Sequence, residues 1–125
     1  DYISYLEATG MFNALREAGH SDSLLAKPEK LYLGNSNIAY SLSEDGIIDD
    51  GNMRETNFLA WTKQVCSPVS SKISDFEIGD VTFEVGGRNK KSDQIKDARV
   101  GYLVKDNLEY ASGRSIPIWM FGFLY

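Results

Sequence analysis

Cysteine and histidine are almost absent from this sequence, which has one residue of each, Cys66 and His20. A single cysteine cannot form an intrachain disulfide, and a zinc site built from cysteine and histidine would need carboxylates to complete it. We therefore expect a protein of the reducing cytoplasm. In it, Cys66 should be a small buried hydrophobe and His20 should lie in a polar surface turn.

Long apolar runs are also missing. The most apolar segment, residues 116–125, has ten residues, whereas a membrane-spanning helix needs ~20. No secretory signal pattern occurs, so we expect a cytoplasmic location and no membrane partner. The motif G-x-x-x-x-G-K-[ST] does not occur either, so these residues should not bind ATP through a P-loop.

The composition is that of a folded domain. The chain has 125 residues, of which 42% are hydrophobic and 12% aromatic, so one hydrophobic core is expected. The net charge of -5 argues against coating nucleic acid through overall charge. Residues 1–55 contain ten acidic and four basic side chains, while residues 56–125 contain eight and nine. An anionic partner would therefore favour the second half.

The first third of the chain predicts a helix followed by a hairpin. Apolar residues recur at helical spacing over 2–9, and two apolar stretches at 11–15 and 30–33 favour strands separated by turn residues. A helix and a long-looped hairpin form the closing half of a winged-helix module, so we assign residues 1–33 to such a segment and 34–125 to a second domain. The chain should then be a piece of a longer protein. Side chains that would pack on the missing helices should be incompletely buried: Tyr2, Tyr5, Leu6 and Phe12.

The remainder predicts an α+β fold, with α/β as the alternative. Asn52 can cap a helix over 53–66, and strands are expected at 72–78, 81–86 and 100–104, with a helical stretch near 90–97. The two tryptophans should pack in the core. One helix face should be buried, formed by Phe58, Leu59, Thr62, Val65 and Cys66.

Two carboxylates should meet on the hairpin. Gly79-Asp80 favours a two-residue type II′ turn, and the resulting register sets Asp75 opposite Glu84. Like charges at that distance are destabilising unless a cation lies between them. Either the pair lies on a solvated face near Arg88 or Lys90, or it binds a divalent ion such as Mg²⁺. The core-facing residues should be Phe76, Ile78, Val81, Phe83 and Val85, with Asp75, Glu77, Thr82 and Glu84 on the other side.

A third acid lies at the start of the helix. Glu55 precedes the apolar face, where a charge is unexpected unless it serves the helix dipole. Together with Asp75 and Glu84 it resembles the PD-(D/E)XK nuclease core, in which a helix glutamate, a strand aspartate and a Glu-x-Lys bind metal and activate water. Gly86 occupies the lysine position of that pattern. Lys90 or Lys91 could replace the lysine only if the following loop folds back.

Longer stretches resemble a known family. These are residues 30–37, 54–59, 83–90 and 116–125, which read KLYLGNSN, RETNFL, FEVGGRNK and IPIWMFGFLY. They are similar to the C-terminal domain of unknown function in bacterial and archaeal AAA-type P-loop ATPases, the Bacteroides-like branch in particular. The resemblance implies a restriction-endonuclease-like fold, and an upstream ATPase domain of the same polypeptide that binds ATP.

The resulting functional prediction is an accessory domain. Because Gly86 replaces the lysine, we expect a non-catalytic module that engages nucleic acid or a protein partner and packs on the ATPase domain. The alternatives are a Mg²⁺-dependent PD-(D/E)XK nuclease and a structural or homo-oligomerising domain. Glu55, Asp75, Glu84 and Lys90 are the candidate catalytic residues, and the three acids would hold Mg²⁺ weakly, with no other cofactor. DNA or RNA would meet the one net-positive stretch, formed by Arg88, Lys90, Lys91, Lys96 and Arg99.

Overall fold

A helix and a hairpin come first along the chain. The computed structural model describes residues 2–19 and 26–125. Helix α1 spans Tyr2–Ala8, and strands β1, Phe12–Leu15, and β2, Lys30–Leu33, pair antiparallel. Gly10 follows the helix with φ +78°, a left-handed conformation that glycine adopts without a Cβ penalty. The predicted helix and strands are confirmed, whereas the predicted turn at His20 lies outside the described residues.

This hairpin joins the main body of the protein. Leu15 and Tyr32 belong to the same buried cluster as the residues of the central helix and sheet. The Ser70 amide donates to the Arg16 carbonyl at 2.8 Å, which links the end of β1 to the sheet. The outer side of α1 is less covered, and Tyr2, Tyr5 and Leu6 are exposed while Phe12 is half-buried, as expected.

Two helices follow, α2 over Ser36–Leu42 and α3 over Asp50–Thr62. The predicted Asn52 cap is wrong: the Asp49 carboxylate accepts from the Asn52 amide at 2.8 Å, so the helix begins three residues earlier than predicted. It also ends before Cys66, because the backbone turns after Thr62. Cys66 is therefore exposed rather than buried, and so is Val65.

Five strands form a mixed sheet in sequence order. Strands β3, β4 and β5 pair antiparallel, and β5, β6 and β7 pair parallel. A 3₁₀ turn, Ser92–Ile95, connects β5 to β6, and a 3₁₀ segment, Ile118–Phe123, follows β7. None of the helices in the described ranges is long and apolar enough to span a membrane. The strands are β3 Val69–Ser70, β4 Phe76–Ile78, β5 Val81–Gly86, β6 Val100–Lys105 and β7 Ser115–Pro117.

The β4–β5 hairpin has the predicted register. Ile78 pairs with Val81 and Phe76 with Phe83, and Gly79 has φ +59°, as a type II′ turn requires. Strand β4 is shorter than predicted, because the ladder stops at Phe76 and residues 72–75 form bends.

The prediction of one solvated hairpin face is wrong. Thr82 and Glu84 are both buried, because the 3₁₀ turn covers that side of β5. Ile95 of this turn is fully buried, and a Cβ placed on Gly101 would lie 2.9 Å from the Ile95 Cβ. Glycine at position 101 therefore permits the close approach of turn and sheet.

Phe58 lies at the centre of the aromatic core. Its ring centroid is 5.0 Å from that of Phe76, 5.4 Å from Phe83 and 4.9 Å from Phe121. Trp61 is half-buried against this core. Trp119, expected in the core, is instead exposed, and its indole N–H donates to the Leu108 carbonyl at 3.2 Å.

Candidate functional site

Glu84, in the middle of β5, is a buried carboxylate with three side-chain donors. Only 2% of its side chain is exposed. It accepts a hydrogen bond from the Ser74 hydroxyl and pairs with the Lys90 ammonium. When the Gln94 amide is oriented with its nitrogen toward Glu84, it donates to Oε2 at 2.9 Å and also to Oε1. A buried polar group requires such bonds, so these three donors hold the carboxylate in place.

Lys90 reaches Glu84 because the loop after β5 folds back. The Lys90 amide donates to the Gly87 carbonyl at 3.0 Å, which closes a tight turn. A Cβ on Gly86 would lie 2.7 Å from Lys90 Cδ, so the lysine side chain covers the space that a side chain at position 86 would enter. The hydrogen bond to Glu84 raises the pKa of Lys90. Lys90 thus places an ammonium group beside Glu84, where the lysine of the Glu-x-Lys pattern would otherwise supply one from position 86.

Asp75 lies next to β5, just before β4 begins. Its Oδ2 accepts from the Val85 amide at 2.9 Å, and 15% of its side chain is exposed. Burial raises the pKa of Asp75 to about 6; the Val85 bond opposes this change, and the nearby charges of Glu55 and Glu84 add to it. A carboxyl group with this pKa can hold or release a proton near neutral pH.

Glu55 faces Asp75 from the first turns of α3, and the N-terminal hairpin supplies its partners. The Tyr32 hydroxyl donates to Glu55 Oε2 at 2.5 Å. Burial, and then this bond, raise the pKa of Tyr32. The Lys30 ammonium lies 3.7 Å from Glu55 Oε2 and 3.7 Å from Asp75 Oδ1, between the two acids.

The structure therefore brings together four residues predicted from the sequence: Glu55, Asp75, Glu84 and Lys90. Four others were missed: Lys30, Tyr32, Ser74 and Gln94. Lys30 and Tyr32 are two residues apart on one strand, so their side chains share a face. This spacing could have indicated that both residues face the same site. The position of Gln94 depends on the 3₁₀ turn and has no sequence signal. We call the eight residues the carboxylate–lysine cluster.

The other basic residues of the net-positive stretch lie away from these carboxylates. Arg88, Lys91, Lys96 and Arg99 are all exposed. Lys96 pairs with Asp93 at 2.5 Å. Their predicted contact with nucleic acid remains a prediction.

The donor chemistry of the cluster suits a hard cation. Among residues 2–19 and 26–125, no three histidine, cysteine, aspartate or glutamate side chains are arranged to hold a metal ion as they stand. Mg²⁺, however, keeps several waters and needs only one or two protein carboxylates. Asp75 can supply one, because its carboxylate has about four lone-pair sites and its described contacts are the Val85 amide and the Lys30 ammonium. Ser74, Lys90 and Gln94 together donate to both oxygens of Glu84, so Glu84 would have to exchange one of these bonds for the ion.

Sequence comparison finds one similar protein and no family. Over 97 residues the chain is 29% identical to the chaperone protein ClpB of Rhodopirellula baltica. The match covers 78% of this chain but only 11% of ClpB. It is a weak link to the AAA ATPases. No protein-family model and no solved structure matches the chain.

Proposed function

We propose that this chain is a metal-dependent nuclease domain associated with an AAA-type ATPase. The observation that carries the proposal is the position of Lys90, which covers Gly86 and pairs with Glu84 beside Asp75. The sequence favours a non-catalytic domain only because Gly86 lacks an amine. Since the loop folds back and returns that amine, the reason for preferring the non-catalytic form is removed.

The chemistry of phosphodiester hydrolysis fits this set of groups. A P–O bond forms from water, a P–O ester bond breaks, and the leaving oxygen takes a proton. A divalent ion bound by Asp75 and Glu84 would lower the pKa of a water molecule bound to it and so make that water a better nucleophile. The Lys90 ammonium would neutralise negative charge that builds up on the phosphate, and Ser74 and Gln94 would keep Glu84 in place.

The link to an ATPase rests on sequence. The stretches that resemble AAA-type ATPase C-terminal domains and the partial similarity to ClpB both support it. Because the matched segment is 11% of ClpB, the ATPase domain, its ATP and its packing against this chain are parts of the proposal. In that arrangement ATP hydrolysis elsewhere in the polypeptide would control access of nucleic acid to the cluster.

A second candidate function is a non-catalytic contact domain. The observation that favours it is an apolar surface near the C-terminus, where Ile116, Met120, Phe121 and Leu124 line a shallow groove. Trp119 and Phe123 are exposed nearby. Such a surface suits contact with another protein domain or a second copy of the chain.

A cleavage assay separates the two. The purified chain is incubated with Mg²⁺ or Mn²⁺ and with single- and double-stranded DNA and RNA. We expect cleavage that falls by ~10²-fold or more in Asp75→Asn, Glu84→Gln and Lys90→Met, while the control Lys72→Met, at an exposed lysine outside the net-positive stretch, cleaves like the wild type. Cleavage that survives all three substitutions identifies a contaminant. Folded wild-type protein that cleaves none of the substrates overturns the nuclease proposal and leaves the contact domain.

A further inference from the structure

We infer that Lys30 is a phosphate-contacting residue of the carboxylate–lysine cluster, delivered to it by the N-terminal hairpin. The inference rests on the proposed nuclease function and deepens it by adding a substrate-binding residue that the Asp-x₈-Glu pattern does not contain.

Lys30 is held loosely. Its ammonium lies 3.7 Å from each of its two carboxylate partners, Glu55 and Asp75, whereas charged N–H···O hydrogen bonds measure about 2.7–2.9 Å. Its side chain is 45% exposed. Ion pairs between partly exposed side chains contribute little to stability, so Lys30 can leave both acids at little cost.

Neither acid depends on Lys30 for its position. Tyr32 donates to Glu55 at 2.5 Å, and the Val85 amide donates to Asp75 at 2.9 Å. A lysine whose role was to hold these carboxylates would make one of these bonds. The Lys30 ammonium is therefore a partly exposed cation with two long ion pairs, while Lys90 is paired with the buried Glu84.

The backbone that carries Lys30 is held by strand pairing and by packing on the core. In the β1–β2 ladder Lys30 pairs with Leu15, which is fully buried. Two residues on, the Tyr32 ring packs on Phe76 with centroids 5.9 Å apart. The stem of Lys30 thus starts from a fixed strand, and its long chain lets the ammonium move from the acids to a phosphate oxygen.

Two cations on different elements suit a phosphodiester. A divalent ion held by Asp75 would compete with the Lys30 ammonium for this carboxylate, which would leave the ammonium available to the substrate. The two ammonium groups would then meet the phosphate from separate elements, β2 and the loop after β5.

The test measures binding and turnover in the same variants. Lys30→Met and Lys30→Arg are compared with Lys72→Met, an exposed control, on a labelled single-stranded oligonucleotide. We expect Lys30→Met to weaken binding and raise KM more than it lowers kcat. It should also reduce the slope of log Kd against log salt by about 0.7, the value for one lost phosphate contact. Lys30→Arg should retain most of the binding, because it keeps the charge.

Binding is also measured in a Glu84→Gln background, where the oligonucleotide stays intact. If the wild type cleaves but Lys30→Met leaves Kd, KM and the salt slope unchanged, the inference about Lys30 fails and the nuclease proposal stands. If no cleavage occurs but the salt slope still falls with Lys30→Met, the nuclease proposal fails and the phosphate contact stands. Unfolding midpoints of all variants, measured by circular dichroism, show whether a loss of binding comes from a loss of structure.

Discussion

At the scale of single residues, Asp75 combines burial with charge repulsion. Its pKa in the folded protein is about 6, against an ordinary value of 3.8. Between those two pH values the folded protein binds a proton that the unfolded chain does not. Above pH 6 the folded protein carries a charge that its surroundings disfavour, so ionised Asp75 lowers the stability of the protein.

We therefore predict that Asp75→Asn stabilises the protein in a pH-dependent way. At pH 8 the free energy of unfolding should rise by up to about 3 kcal/mol, since the shift is roughly two pH units at 1.36 kcal/mol each. The gain should shrink as the pH falls through 6 and vanish by pH 4, where wild-type Asp75 is protonated in the folded protein too. Urea unfolding at several pH values measures this, with the exposed Asp80→Asn as control. A gain that is equal at pH 4 and pH 8 would contradict the assignment.

Gly86 and Lys90 are sterically coupled, because the Lys90 side chain occupies the space beside the Gly86 Cα. A Cβ at position 86 would lie 2.7–2.9 Å from three carbons of the Lys90 side chain. Gly86→Ala should therefore push Lys90 away from Glu84, destabilise the protein by roughly 1–3 kcal/mol because a buried acceptor loses its charged donor, and abolish cleavage. In a Lys90→Gly background, which removes all three of these carbons, the same glycine substitution should cost much less. A double-mutant cycle of unfolding free energies measures the coupling; additive effects would show that the two sites are independent.

At the scale of elements, the N-terminal hairpin is tied down by a buried ion pair. Arg16, 3% exposed, binds both oxygens of Glu7 on α1 at 3.2 and 3.0 Å and also donates to the Ala26 carbonyl. Burial raises the pKa of Glu7, but Arg16 and then Lys63 outweigh it and hold the pKa below its ordinary value. This pair fixes α1 against the end of β1.

Breaking that pair on one side should be costly. We predict that Arg16→Met lowers the free energy of unfolding by about 3 kcal/mol, because it leaves the Glu7 carboxylate buried with only Lys63 nearby. The double variant Arg16→Met, Glu7→Gln should recover a large part of the loss, since no buried charge then remains unpaired. Urea unfolding of both variants measures this. A double variant less stable than Arg16→Met alone would contradict the explanation.

Local sequence signals predicted elements better than they predicted how elements meet. The Gly79-Asp80 turn and its flanking apolar residues determined the register of β4 and β5, and the acids were found from their spacing. The alternation along β2 puts Lys30 and Tyr32 on one face. Their position beside Asp75 and Glu55 could not be predicted, because no local pattern places a residue of β2 next to these acids. Lys90 depends on a four-residue turn that is stabilised only once Glu84 is buried. The end of α3 was misplaced because Val65 and Cys66 continue its apolar spacing past the actual turn.

At the scale of the whole molecule, one core includes residues from both predicted segments. Leu15 and Tyr32 of the hairpin lie in the same buried cluster as Phe58 of α3, Val104 of β6 and Ile118 near the end of the chain. The ring of Phe58 contacts three other aromatic rings from the sheet and from the C-terminal segment. A packing defect at one of these residues should therefore destabilise the whole core.

We predict that the described body unfolds in a single cooperative transition. Fluorescence of Trp61, which lies against the core, and far-ultraviolet circular dichroism should give the same urea midpoint. Phe58→Ala should lower stability by about 3–5 kcal/mol and shift both midpoints equally. An early transition seen by circular dichroism alone would mean that the hairpin unfolds separately from the sheet.

Both outer strands of the five-stranded sheet are short, since β3 has two residues and β7 has three, the last of them Pro117. A long outer strand exposes a row of free N–H and C=O groups that can template pairing with another chain. Here those rows are very short, and proline has no N–H to offer. Strand addition is thereby discouraged at both margins of this sheet, so we expect a partner that meets either margin to be recognised by side chains.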